Sequence, residues 1–161
     1  MSKKIIIIFI ITLIAIIVTV VSVSYFNNKG HDNFSAEKNY GIIKVYKSPT
    51  CGCCNGYVSA LKNSSFKVEA INLEDLNSIK NHYNIPSNMQ SCHTTIIGKY
   101  FIEGHVPLEV VQKLLNEQPD IDGIALPGMP TGTPGMPGHR DSPLIIYQLK
   151  SGEYSEYMIL K

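Results

Sequence analysis

The sequence predicts one α/β domain of strand–helix–strand–helix–hairpin–helix order, extended by a C-terminal hairpin and carried behind an N-terminal transmembrane helix. Three observations predict it. A long apolar run follows Lys3 and Lys4. Short β-branched segments alternate with stretches of helical apolar spacing. Three of the four cysteines, Cys51, Cys53 and Cys54, fall where the first strand gives way to the first helix.

Ile5 to Val23 is interrupted only by Thr12, Thr19 and Ser22. About 20 apolar residues span the hydrocarbon core, whereas a cleaved signal has an apolar region of only ~7–15 residues. Residues 1–26 are therefore read as an uncleaved anchor. Cleavage near Ser22-Val23-Ser24, giving a secreted or periplasmic product, is the alternative. Lys3 and Lys4 would stay cytoplasmic, placing the rest on the extracytoplasmic side, periplasmic or outer. Residues 27–40 are polar and read as a linker, leaving 41–161 as one domain with a single core. With Lys3 and Lys4 set aside, twelve of the fourteen Lys and Arg face thirteen Asp and Glu. This near-neutral balance, without a basic stripe, excludes nucleic acid as a partner class.

Within the domain, Ile42–Lys47 is short and β-branched, a strand. Ser48-Pro49-Thr50 turns the chain, and Tyr57, Val58 and Leu61 then recur at helical spacing until Asn63-Ser64-Ser65. Phe66–Leu73 alternates as a second strand. Leu76, Ile79 and Tyr83 mark a short helix closed by Pro86. Thr94–Ile102 reads as a hairpin turning at Gly98-Lys99. Pro107 opens a helix with Val110, Val111, Leu114 and Leu115 on one face, and Pro119 lies beyond it. Leu126–Gly138 contains Pro-Gly-Met-Pro twice and forbids regular structure. Leu144–Leu149, a Ser151-Gly152 turn and Tyr154–Ile159 form the last hairpin, which extends the sheet. The order up to the third helix is that of the thioredoxin fold, with its Cys-x-x-Cys at the loop-to-helix junction.

Chemistry concentrates on the cysteines. A helix N-terminus carries unpaired N–H groups and positive partial charge, which favour a thiolate. Cys51, Cys53 and Cys54 crowd such an end, and thiolates select soft metals. A structural Cys51–Cys54 disulfide with Cys53 buried is the plainer alternative. In a thioredoxin-like order, the loop before the third strand passes over the Cys-x-x-Cys. Cys92 and His93 would thus approach the first three cysteines, His93 standing where that fold usually has a proline. His105 follows the hairpin turn, as a ligand or as a surface imidazole. Met129 and Met136 occupy matching Pro-Gly-Met-Pro frames and offer thioethers suited to Cu(I), or merely fill space. Glu103 reads as a surface carboxylate, His139 as a weaker donor, and His31 and His82 as surface residues.

The run Tyr46 to Cys54, with Ser91-Cys92-His93-Thr94, Glu103-Gly104-His105-Val106-Pro107 and the paired Pro-Gly-Met frames, resembles one family from about Ile42 to the C-terminus. It is the CopG-like, thioredoxin-fold group of extracytoplasmic metal-binding proteins associated with copper resistance. The resemblance implies copper bound as Cu(I) by Cys51, Cys53, Cys54 and Cys92, a multinuclear cluster included. His93, His105, Met129 and Met136 match the same motifs. Tyr57 stands near the place where such proteins more often carry a tryptophan, and Pro137 where many carry a glutamate.

The leading expectation is therefore a membrane-tethered copper-binding protein, rather than an enzyme, that buffers Cu(I) or hands it to a transfer protein, with a change of copper oxidation state left open. A thiol–disulfide oxidoreductase on the same fold is the alternative, since Cys-x-x-Cys at a helix end suffices for that chemistry. Against it stand Cys53, Cys92 and the absent loop proline. A structural zinc site ranks third, because such sites usually draw paired, separated Cys-x-x-Cys motifs.

Overall fold

A computed structural model describes residues 12–19, 40–64 and 66–161 of the chain. Residues 12–19 form a helix whose Leu13, Ile14, Ile16, Ile17 and Val18 are all exposed. Thr19 turns its hydroxyl back onto the Ala15 and Ile16 carbonyls at 3.1 and 2.8 Å, which satisfies the hydroxyl within the helix. No described helix is long and apolar enough to cross a membrane. The rest of the expected anchor, and the expected linker up to residue 39, lie outside the described residues.

From residue 40 the elements follow in the order expected. β1 (Ile43–Lys47) leads into α1 (Gly52–Asn63), β2 (Val68–Asn72) and α2 (Asn77–His82). A 3-10 turn at Ser87–Met89 precedes the hairpin β3 (His93–Ile97) and β4 (Tyr100–Glu103), then α3 (Leu108–Glu117). β5 (Gly123–Ala125), β6 (Leu144–Lys150) and β7 (Glu153–Leu160) complete the chain. The seven strands of the described residues form one mixed sheet, ordered β2-β1-β3-β4-β5-β6-β7. β1 and β2 are parallel, β3 runs antiparallel to both its neighbours, and β5 is parallel to β4.

Successive side chains on a strand point to opposite faces, and here each face has its own core. Tyr100 and Ile102 of β4 join Tyr57, Leu61, Val111 and Leu114 beneath α1 and α3. Phe101, between them, joins Ile85 and Met89 on the face toward α2. The same alternation puts His93 with Ile97 on the α1 face, and Thr94 and Glu103 on the α2 face. Within α3, Val110, Val111, Leu114 and Leu115 are all buried, as their spacing predicts. That helix follows Pro107 and ends at Gln118, whose φ of 48° is left-handed.

Two features depart from the sequence reading. The last hairpin extends the sheet through β5, a strand of three residues too short to alternate visibly. Along β6 and β7, Ile146 pairs with Met158 but Tyr147 with Glu156, so Tyr157 is an extra residue in β7. On β6, plain alternation sends Leu144 and Ile146 into the α1 core and Leu149 into the other.

The Pro-Gly-Met loop packs tightly on α1. Gly135, at φ 82°, has no room for a side chain: a Cβ would meet the Cys53 carbonyl at 2.4 Å. Gly56 faces it from the helix, where a Cβ would come within 2.7 Å of Gly135 Cα. This contact yields a test with a definite sign. Glycine to alanine inside a free helix stabilises by about 1 kcal/mol. Gly56→Ala here should instead destabilise, by about 1–3 kcal/mol as for other overpacked sites, read from the urea midpoint. The register of β6 gives a second test. Ile146→Ala should cost about 2–5 kcal/mol, and the 39 % exposed Ile145 about 1 kcal/mol or less.

Candidate metal centre

The site is assembled where α1 begins. Cys51 is the N-cap of that helix, and its Sγ accepts the Cys54 N–H at 3.3 Å. No acidic residue occupies the first turn, so the positive end of the helix faces the sulfurs uncompensated. Cys54 is fully buried, whereas Cys51 and Cys53 are half-exposed. In this structure Cys51 and Cys54 are joined as a disulfide, and Cys53 and Cys92 are free. The disulfide alternative thus has its bond, but the residue expected to be buried, Cys53, is not. Cys54 fills the interior position instead.

Antiparallel pairing of β3 with β1 sets Lys47 opposite His93 and brings Cys92 over the start of α1. Cys53 Sγ lies 3.4 Å from Cys51 Sγ and 3.9 Å from Cys92 Sγ. The four sulfurs lie within 4.8 Å of one another. Cys54 Sγ is 3.6 Å from the Cys92 carbonyl, a contact in which only the reduced thiol can donate. The predicted approach of Cys92 to the first three cysteines is present.

Two imidazoles close the other side of Cys92. Its Sγ lies 3.1 Å from His105 Nε2 and 3.4 Å from His93 Nδ1, and the three donor atoms form a second cluster within 4.8 Å. His105 Nδ1 lies 2.7 Å from the Pro134 carbonyl oxygen. A carbonyl only accepts, so Nδ1 carries the proton and Nε2 turns its lone pair to the sulfur. Fixing one ring nitrogen by a backbone carbonyl is how metal-binding histidines are oriented. Burial lowers the His105 pKa, opposed by the bond to Pro134. His93 is held down at about 3, first by burial and then by the charges of His105 and Lys80. Both rings are therefore neutral at physiological pH. His93 packs at 4.5 Å from the Tyr57 ring, between centroids, and its Nε2 has no hydrogen-bond partner among the described residues. Tyr57 thus holds an imidazole while its hydroxyl donates to the Val106 carbonyl at 3.1 Å. Burial, and then the charge of Cys53, push the Cys92 thiol up to about 11.

Both Pro-Gly-Met frames dock beside these donors through their backbones. Ser91 Oγ donates to the Gly128 carbonyl at 2.7 Å, and Pro134 and Gly135 rest on His105 and α1. Met129 is 54 % exposed and Met136 half-buried. His139 is exposed, 3.9 Å from Asp141, and His82 is exposed against Tyr83. His31 lies outside the described residues.

Glu103 requires a correction. Expected at the surface, it is fully buried, paired with the buried Lys80. Its carboxylate also accepts the Ser91 N–H and the Thr94 hydroxyl, each at 2.6 Å. Burial raises its pKa, and Lys80, Thr94 and Ser91 oppose that rise. A charge at a strand end normally signals solvent, so the sequence carried little sign of this pair. The one clue was its place beside Gly104-His105.

Residues 89–136 match a family described as protein of unknown function, DUF411. No curated protein matches the sequence. Two solved structures do, Form 2 and Form 1 of "Copper resistance protein copG". Each is 37 % identical to this chain and covers 74 % of it. The matches take in 98 and 96 % of those chains, with TM-scores of 0.69 and 0.68. At that identity, over nearly the whole of each relative, this chain belongs to the CopG family of copper resistance proteins.

Proposed function

We propose that this chain is a membrane-tethered, extracytoplasmic protein on a thioredoxin-like scaffold that binds Cu(I) and buffers it or passes it to a transfer protein. The observation that carries the reading is the position of Cys92. Its sulfur touches Cys53 on one side and the lone pair of His105 on the other. With the three other sulfurs and two neutral nitrogens around it, the site offers more donors than one tetrahedral ion uses. Such a set favours a site for more than one soft ion, bridged by thiolates. Met129 and Met136 would add thioethers from the docked loop. The β2-β1-β3-β4 order and the helix-capping Cys-x-x-Cys support the thioredoxin-like assignment. For the tether, the support is the apolar run behind Lys3 and Lys4, together with the apolar exposed helix at 12–19.

The full donor set exists only after the Cys51–Cys54 bond takes up two electrons and two protons. The reduced chain, titrated anaerobically with Cu(I) against a competing chelator, should bind more than one copper and protect all four thiols. Before reduction, the chain should bind less copper, through Cys53, Cys92 and the histidines. Cys53→Ser and Cys92→Ser should each lower the copper count.

The Cys51–Cys54 disulfide favours a second reading, thiol–disulfide exchange. Weak Cu(I) binding by the reduced chain, with dithiol–disulfide turnover that survives Cys53→Ser and Cys92→Ser, would establish that reading and sink the first. Removal of residues 1–26 should release the protein from sedimenting membranes. Unchanged sedimentation would remove the tether.

A further inference from the structure

We propose that the buried Glu103, neutralised by Lys80, is a positioning residue that sets the copper site from the opposite face of the sheet. The inference rests on the copper reading above. Glu103 and Thr94 lie directly opposite each other in the β3–β4 register, both on the α2 face. Cys92 and His93 present their donors to the α1 side. The carboxylate is therefore no ligand. It grips the ligand-bearing segment from behind, holding the Ser91 N–H just before Cys92 and the Thr94 hydroxyl just after His93.

Two further segments meet at the same residue. Gly104 and His105 follow Glu103 directly in the chain, and the Gly104 N–H donates to the His93 carbonyl at 3.0 Å. Gly104 fits only as glycine, since a Cβ there would meet the Leu126 carbonyl at 2.6 Å. The Leu126 N–H donates to the Glu103 carbonyl at 3.0 Å, at the entry to the first Pro-Gly-Met frame. Cys92, His93, His105 and the loop thus take their mutual spacing from one residue. Lys80 reaches it from α2 and also donates to Thr94 Oγ1 at 3.1 Å. A pair serving stability alone needs none of these bonds to the flanks of Cys92 and His93.

The test separates the hydrogen bonds from the buried charge. Lys80→Met with Glu103→Gln removes both charges and keeps an acceptor for Ser91. Lys80→Met with Glu103→Leu removes the charges and the acceptor together. Buried ion pairs commonly tolerate apolar replacement of both partners, so both full-length doubles should unfold cooperatively. Partners that orient metal ligands typically contribute about 10–100-fold to metal affinity. The leucine double should lose about that factor in Cu(I) affinity. It should also lose copper–nitrogen scattering in X-ray absorption, while the glutamine double keeps both near wild type. A folded leucine double with wild-type affinity and nitrogen ligation would overturn the proposal. If that double does not fold, Thr94→Val decides. This change keeps the side chain's shape and removes one of the two anchor bonds. A several-fold loss of Cu(I) affinity supports the proposal, and wild-type affinity overturns it. Wild-type chain that fails to bind Cu(I) overturns the copper reading and this inference with it. Native binding by the variants overturns the inference alone.

Discussion

The site depends on the pairing of β3 with both its neighbours. Lys47 lies opposite His93 on one side and Thr94 opposite Glu103 on the other. Side chains alternate with a period of two, so sliding β3 by one residue would exchange the faces of His93 and Thr94. His93 would leave Tyr57, and the Thr94 hydroxyl would leave the Glu103 carboxylate. Cys92, one residue before the strand, would lose its place over the start of α1. Nothing in the cysteine cluster itself sets this register. It follows from the alternating apolar residues of β3 and β4, which must enter two different cores. The chemistry at one end of the sheet is thus fixed by packing along its length.

Electrostatics at the site pull in two directions. The N-terminus of α1 favours a thiolate, yet burial and the neighbouring Cys53 charge hold Cys92 as a thiol, near 11. A proton on Cys92 is consistent with its neighbours, because the lone pair of His105 Nε2, 3.1 Å away, can accept the S–H. On the copper reading, a soft cation would take the place of that proton. Cys92 and His105 would hold it together, and the Pro134 carbonyl keeps the ring in the required tautomer. On that reading, Cys92 and His105 are therefore already paired for the loaded state, which reduction of the Cys51–Cys54 bond would complete. The helix dipole and the cation would then stabilise the thiolates in turn.

Much of this was legible in the sequence, for identifiable reasons. Tyr57, Val58 and Leu61 declared one buried helix face and Val110, Val111, Leu114 and Leu115 another, because apolar spacing survives translation into structure. The approach of Cys92 and His93 followed from element order rather than from any local pattern, whereas the sequence leaves His105 open between ligand and surface imidazole. β5 escaped notice because three residues give no period to read. Glu103 and Lys80 escaped for a different reason. Charged residues at a strand end and on a short helix ordinarily face water, and a single sequence does not reveal that two opposite charges have chosen each other. The cysteines themselves remained ambiguous between disulfide and metal, because one geometry serves both. Cys51 and Cys54 are close enough to bond, and Cys53 and Cys92 are close enough to share an ion with them.

The loop from Leu126 to Gly138 shows how a segment without regular structure can still be exact in its placement. Its two Pro-Gly-Met frames are bound at their backbones, Gly128 by Ser91 and Pro134 by His105. Gly135 lies so close to Gly56 that neither position has room for a side chain. Proline limits the conformations of the free loop, and glycine permits the left-handed turns at Gly128 and Gly135. Little ordering entropy then remains to be lost when the loop docks. The methionine of each frame follows directly after an anchored glycine, so its range of positions is short. Ser91 and His105, which hold the two frames, also flank Cys92. The loop thus meets the centre through its own backbone carbonyls, held by the Ser91 hydroxyl and the His105 ring.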